Sequence, residues 1–234
     1  MAKKPAIIAF DADDTLWHNE RFFKISQQRF AELLRPYTDP DHLSERLLAA
    51  ERRNLGRYGY GIKGFTLSMI ETAIEVTDTK VPASVISDLL AVGQDMLTHP
   101  IDLLPGVVDV ITQVSERHQV LLITKGDLLD QERKLAQSGL GRHFDGIEIV
   151  NEKLASTYRK IFSSYGGVPE RAMMIGNSLK SDVLPVLEIG AWGIHVPYDL
   201  TWALEHAETP SHHTRFRALP DLTELPALLG QIDL

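Results

Sequence analysis

The chain has 234 residues, 44% of them hydrophobic, a formal net charge of −8 and no cysteine. Disulfides, thiolate metal sites and cysteine nucleophiles are therefore excluded. The acidic balance, with no long basic run, argues against nucleic acid and anionic membranes as partners. The chain begins Met-Ala-Lys-Lys-Pro before an apolar run too short for a signal peptide, and no apolar stretch reaches the length of a membrane span. A soluble protein of a reducing cytoplasm is the expectation.

Residues 6–11 predict a buried strand that runs into Asp11, Asp13, Asp14 and Thr15. Aspartate is disfavoured in strands, so three acids at the end of an apolar run need a reason. Side chains alternate along a strand, so Asp11 and Asp13 can point the same way. Paired carboxylates repel, and a hard cation such as magnesium relieves that repulsion. The same aspartates could instead cap the turn that follows.

Residues 18–102 show no strand pattern. Four apolar stripes predict four helices: Phe23, Phe30, Leu33 and Leu34, ended by Pro36; Leu43, Leu47 and Leu48; Phe65, Met69, Ala73 and Val76; and Ile86, Leu89, Leu90, Gly93 and Leu97. They describe a small helical bundle inserted after the first strand, placed to act as a lid. Gly59-Tyr60-Gly61-Ile62-Lys63-Gly64 matches the dinucleotide fingerprint in form. A helix rather than a strand precedes it, so it reads as a loop of the bundle. Leu104-Pro105-Gly106 is a turn signal. It sets the expected boundaries: a core of residues 1–17 and 103–234, and a helical cap of residues 18–102.

Beyond that turn, helices and strands alternate. A helix is predicted over 107–117, then a strand from Val120 to Ile123 ending in Thr124-Lys125-Gly126. A helix over 127–138 follows, with Asp127 as N-cap, then a strand over 146–150. The helix over 154–165 stops at Gly166-Gly167, and a strand over 172–175 ends in Gly176-Asn177-Ser178. A helix over 183–189 with Pro185 in its first turn and a strand over 191–196 complete the pattern. This alternation predicts an α/β fold, a parallel sheet covered on both faces. Ligands of such sheets sit outside the carboxyl ends of the strands, where Asp11, Asp13, Thr124 and Asn177 fall. His206, His212 and His213 have no carboxylate partner at a suitable spacing and read as polar surface.

Four segments occur in order: Asp11-Ala12-Asp13-Asp14-Thr15; Thr124-Lys125-Gly126; Lys153 just before a helix; and Gly176-Asn177-Ser178-Leu179-Lys180-Ser181-Asp182. The set resembles the haloacid dehalogenase-like (HAD) hydrolase superfamily over the whole chain. That resemblance implies a Rossmann-like parallel-sheet core with an inserted all-helical cap. It implies a phosphatase, that is, a phosphoric monoester hydrolase that is magnesium-dependent. Asp11 would attack phosphorus and form an aspartyl-phosphate. Asp13 would protonate the leaving oxygen and then deprotonate water. Thr124, Lys125, Gly126 and Lys153 would bind the phosphate. Mg²⁺ would be held by the Asp11 carboxylate, the Asp13 backbone carbonyl, Asp182 and Asn177.

Three positions depart from the family pattern. Asp14 stands where glycine is usual, Asn177 where aspartate is common, and Lys125 where asparagine is often found. Asn177 contributes an amide oxygen but no charge, so weaker metal binding is expected. Lys160 lies in the same helical region as Lys153, but only Lys153 precedes the helix. The expected substrate is a small phosphorylated metabolite, with Arg57 and Lys63 of the cap loop as candidate contacts. Two alternatives use the same scaffold: a 2-haloacid dehalogenase, which needs no metal, and a catalytically weak binding module. The physiological substrate and the oligomeric state are not legible in the sequence.

Overall fold

The computed structural model describes residues 6–232. Contacts divide the chain into two compact units. One comprises Met1–Glu20, Ile101–Lys125 and Glu132–Leu234. The other comprises Arg21–Pro100 with Gly126–Gln131.

The first unit is built on six parallel strands: β1 (Ile7–Phe10), β2 (Gln119–Lys125), β3 (Gly146–Val150), β4 (Ala172–Gly176), β5 (Trp192–His195) and β6 (Phe216–Ala218). They lie in the order β3-β2-β1-β4-β5-β6. β1 is central, and its four residues are all buried, as a strand covered on both faces must be. Ile8 and Phe10 join one core with α5 (Val107–Ser115) and α9 (Leu225–Leu229). Ile7 and Ala9 join a second core with Tyr158, Ile161 and Phe162 of α7 (Ala155–Ser164) and Val186 of α8 (Leu184–Glu188). Burying one such large apolar side chain stabilises the fold by roughly 1.5–3 kcal/mol. The sheet is thus clamped from both sides at β1, and the chain leaving its carboxyl end is rigidly placed. The structure therefore has the α/β architecture that the strand–helix alternation predicts.

Several details differ from the sequence expectation. β1 ends at Phe10, before Asp11. The helix expected at 183–189 is present as the short α8, and a π turn over Leu179–Val183 that was not expected leads into it. β6 and α9 have no counterpart in the sequence reading. β6 is three residues long with one buried side chain, too little to carry a period.

The second unit contains α1 (Glu20–Leu34, whose first residue belongs to the sheet unit), α2 (Pro40–Tyr58), α3 (Ile62–Val76) and α4 (Ala83–Thr98). All four coincide with the predicted stripes. α1 stops at Leu34 because Pro36 disfavours helix at the residue before it. Asp39 caps α2 by accepting the Asp41 and His42 N–H groups, with Pro40 at the first position. Phe30, Leu34, Leu43, Leu47, Phe65, Met69 and Leu89 form its core. Leu90, expected on the buried stripe of α4, is 46% exposed. Gly59 ends α2 and Gly61 precedes α3, both with left-handed φ angles, so the glycine-rich segment is an inter-helix turn. Residues 126–131, read from the sequence as core, group with these helices. The Lys63 ammonium pairs with Asp127 at 2.9 Å, and Gly61 lies close enough that a Cβ there would sit 3.2 Å from the Asp127 nitrogen.

Candidate active site

Asp11 continues the alternation that turns Ile7 and Ala9 toward α7. Its N–H donates to the Ile175 carbonyl at 2.8 Å, so sheet pairing fixes the residue just past β1. Lys153, two residues before α7, meets it there. The Lys153 ammonium donates to Asp11 Oδ1, and to Asp182 Oδ1 at 2.7 Å. All three side chains are buried. Lys160, by contrast, is exposed.

Asp182 is aimed at this point by the π turn, a deformation common at functional sites. Ser178 caps the turn by accepting the Ser181 N–H, and its own N–H donates to Asp182 Oδ2 at 3.0 Å. Asp182 therefore folds back over the turn instead of capping α8. The carboxylate lies against Gly176, where a Cβ would come within 2.2 Å of Oδ2. Only glycine leaves that space. The buried Tyr158 hydroxyl braces the turn from α7 by donating to the Ser181 carbonyl at 3.0 Å.

One ammonium thus serves two buried carboxylates. Burial pushes Asp11 up to about 7, against the opposing pull of Lys153 and with a further upward push from Asp182. Burial works against charge on Lys153, but Asp11 and Asp182 together hold its ammonium protonated well above the ordinary lysine range. The cluster carries one positive charge too few.

On the other side of Asp11, one end of the Asn177 amide lies 3.2 Å from the Asp13 carbonyl oxygen and 3.3 Å from Asp11 Oδ2. An NH₂ group there donates to both oxygens. An oxygen there stands near two others, an oxygen set that suits a hard cation. The Asn177 N–H donates to Thr15 Oγ1 at 3.1 Å, and the Asn177 carbonyl meets His195 Nε2 at 3.0 Å, so β1, β4 and β5 together place this amide. Among the described residues no group of three or more His, Cys, Asp or Glu is arranged around a metal position. The donor set is instead mixed: a carboxylate, a backbone carbonyl and an amide, with Asp182 across Lys153. It fits an oxygen-seeking divalent ion held with little charge.

The paired direction expected for Asp11 and Asp13 rested on a strand that continues through both. The strand stops first. Asp13 lies in a tight loop and its carboxylate is taken by other partners. Oδ1 accepts Trp17 Nε1 at 2.7 Å, and both oxygens accept the Lys134 ammonium at 2.9 Å. Asp14 has φ +60°, the left-handed conformation that glycine relieves and aspartate tolerates. Its buried carboxylate accepts the N–H groups of Asn19 at 2.8 Å and Glu20 at 3.0 Å, which caps the start of α1. The acid that departs from the family pattern therefore has a structural task. Burial raises it to about 8, with Asp13 adding to the rise and the backbone N–H groups opposing it.

Thr124 is buried at the carboxyl end of β2, beside β1. Gly126, with φ +149°, turns the chain away; a Cβ there would come within 2.8 Å of the Gln131 amide. Lys125, expected at the phosphate, is held elsewhere: its ammonium donates to Glu205 Oε1 at 2.6 Å and Ser181 Oγ at 2.8 Å. Glu205 also accepts the hydroxyls of Ser178 at 2.6 Å and Ser181 at 2.5 Å. Burial resists charge on Glu205, but Lys125 and the two serines hold it below the usual carboxylate range. This network braces the loop that carries Asn177 and Asp182. His206, His212 and His213 are exposed.

Sequence reasoning missed Lys134, Glu205, Ser178, Ser181 and Tyr158. For Lys134 a signal existed. The inward face of α6 (Leu128–Ser138) carries Asp130, Gln131 and Lys134, a polar stripe that needs polar partners. Glu205 stands in an irregular segment where no period applies.

A family model described as haloacid dehalogenase-like hydrolase matches residues 5–190. The chain is similar to a haloacid dehalogenase-like family hydrolase from Xanthomonas campestris, with 41% identity, 98% of this chain and 92% of that one covered, and a TM-score of 0.88. It shares its fold with YfnB from Bacillus subtilis, a candidate HAD-hydrolase bound to magnesium (15% identity, 97% and 99% covered, TM-score 0.68). It likewise shares its fold with L-2-haloacid dehalogenase from Xanthobacter autotrophicus (16% identity, 98% and 100% covered, TM-score 0.65). No curated protein matches. With the matched model spanning most of its length and the four segments gathered at the carboxyl ends of adjacent strands, the chain belongs to the haloacid dehalogenase-like hydrolases.

Proposed function

We propose that the chain is a magnesium-dependent phosphatase of a small phosphomonoester, working through an aspartyl-phosphate on Asp11. The observation that carries this reading is the split environment of Asp11: Oδ1 on the Lys153 ammonium, Oδ2 facing the Asp13 carbonyl and the Asn177 amide. A carboxylate attacks a phosphate dianion only when the negative charges between them are neutralised. Lys153 supplies one fixed positive charge beside the attacking oxygen, Oδ1. Asp11 Oδ2, the Asp13 carbonyl, Asn177 and Asp182 would hold a magnesium ion. Bound there, the ion neutralises phosphate charge and keeps the nucleophile ionised. Thr124 would hold a phosphate oxygen at the end of β2. Asp13 passes its proton to the leaving alcohol as the Asp11–phosphorus bond forms and the ester bond breaks. It then takes a proton from the water that releases inorganic phosphate and restores Asp11.

The fold alone does not choose between phosphatase and dehalogenase, since proteins that share it include a dehalogenase. Asp13, a second acid two residues along the chain from the nucleophile and held by Lys134, favours phosphoryl transfer, where a leaving alcohol needs a proton. The test is turnover of 4-nitrophenyl phosphate with Mg²⁺ and with chelator. Expected are turnover with Mg²⁺, its loss in chelator, and a fall of at least about 10³-fold in Asp11→Asn. Turnover of 2-chloropropionate in chelator, with none of the aryl phosphate, overturns the proposal.

A further inference from the structure

Lys134 is a lysine of an unusual kind. It sits on α6 with 5% of its surface exposed, and its ammonium has three acceptors in reach: both oxygens of Asp13 at 2.9 Å and Asn19 Oδ1 at 3.0 Å. Burying an ammonium costs several kcal/mol before any partner repays it, so a lysine is rarely used as a mere strut. Here it is aimed at one carboxylate of the nucleophile loop. Trp17, itself buried, adds an indole N–H at 2.7 Å to the same carboxylate. Asp13 is thereby fixed in direction from two sides, by groups on different elements.

We propose that Lys134 is a positioning residue for proton transfer by Asp13; this rests on the phosphatase reading above. A group that must first donate and then accept a proton needs a fixed direction at both moments, because proton transfer falls off steeply with misplacement. The ammonium does a second thing. As Asp13 gives its proton to the leaving oxygen it becomes a carboxylate, and a cation already 2.9 Å away stabilises that charge as it forms. No atom beyond those of the reaction is required. The proton goes from Asp13 to the leaving oxygen and is recovered from the attacking water.

The inference makes a demand that a purely structural lysine would not. Help with leaving-group protonation matters when the leaving oxygen is strongly basic and hardly at all when it is weakly basic. The experiment measures kcat/KM with Mg²⁺ for 4-nitrophenyl phosphate and for a simple alkyl phosphate such as glycerol 3-phosphate. It uses the full chain and its Lys134→Met and Lys134→Arg variants. Each ratio is taken within one preparation, so it does not depend on how much of a variant is folded. Expected in Lys134→Met is a loss on the alkyl ester at least about 10-fold greater than on the aryl ester. Lys134→Arg, which keeps the charge, should recover most of that ratio. In an Asp13→Asn background, Lys134→Met should leave the ratio unchanged, because the group it acts through is gone. Equal losses on both esters, or an unaltered difference in the Asp13→Asn background, overturn the positioning role. If the unmodified chain turns over neither ester with Mg²⁺, the phosphatase reading itself fails.

Discussion

On the helical unit Arg53 bridges Glu71 and Glu75, each at 2.7 Å, and Arg46 reaches Glu75 at 2.6 Å. In the sheet unit Lys153 bridges Asp11 and Asp182. The first cluster stands half in water; the second is buried. Around Arg53, two guanidiniums balance two carboxylates within reach of solvent, and Glu71 stays below its usual range, first through Arg53 and then through Asn54. Around Lys153, one ammonium faces two carboxylates away from solvent, and burial drives Asp11 up to about 7. The buried cluster turns its imbalance into a demand for another cation, which the proposed magnesium ion would meet.

Removing the shared cation is the strongest way to test that contrast. Lys153→Met leaves two buried carboxylates facing each other, and breaking a buried pair costs about 3–5 kcal/mol. Urea unfolding in chelator should show a loss of that order. Asp11→Asn in the same background removes one of the two carboxylates and should recover part of it, because the penalty belongs to the pair. Activity should fall about 10²–10³-fold in Lys153→Met. Unchanged stability in Lys153→Met would mean the carboxylates are not in competition for one charge.

Asp14 sharpens the comparison, since it is a buried carboxylate with no ammonium assigned to it and only backbone donors. Its ordinary value near 3.8 is raised to about 8 in the fold. The folded chain therefore binds this proton more tightly than the unfolded chain. The contribution is fully present below about pH 4 and is lost as pH climbs to about 8. Asp14→Asn keeps an acceptor for Asn19 and Glu20, and asparagine accepts the left-handed backbone. In chelator the variant should match the parent near pH 4. It should become more stable by about 1–3 kcal/mol at pH 8, read as the pH dependence of the melting temperature. Parallel curves for the two proteins would remove Asp14 as a source.

What was legible in the sequence follows from how local each feature is. The four cap helices and the first five strands declare themselves through periods of 3.6 or through buried runs ended by glycine, which neighbours along the chain suffice to show. Asp11, Lys153 and Asp182 were picked out by the resemblance of four ordered segments, and each lies beside the end of such an element. The partners of Asp13 were not. Trp17 stands just past a turn, where no period applies, and Lys134 is 121 residues away along the chain. Asp14 stood out only as a departure from the usual glycine, because its use as a cap depends on where α1 begins. Lys134, Glu205 and the brace from Ser178 and Ser181 are distant in sequence from the groups they serve. Only the folded chain brings Glu205 to Lys125.

The smallest effect belongs to the exposed cluster, and its smallness is the informative part. Arg53→Met removes the bridge between Glu71 and Glu75 but leaves both carboxylates in water, with Asn54 still donating to Glu71 at 2.7 Å. Arg46 still reaches Glu75. The loss of stability should be no more than about a fifth of that in Lys153→Met, and it should shrink further in roughly 1 M salt, where screening acts within a few ångströms. The Lys153→Met loss, arising where solvent ions do not enter, should be nearly independent of salt. Paired unfolding curves at low and high salt test both statements together. Equal salt sensitivity in the two variants would mean that burial does not separate the clusters, and the charge deficit at Asp11 would then lose its physical basis.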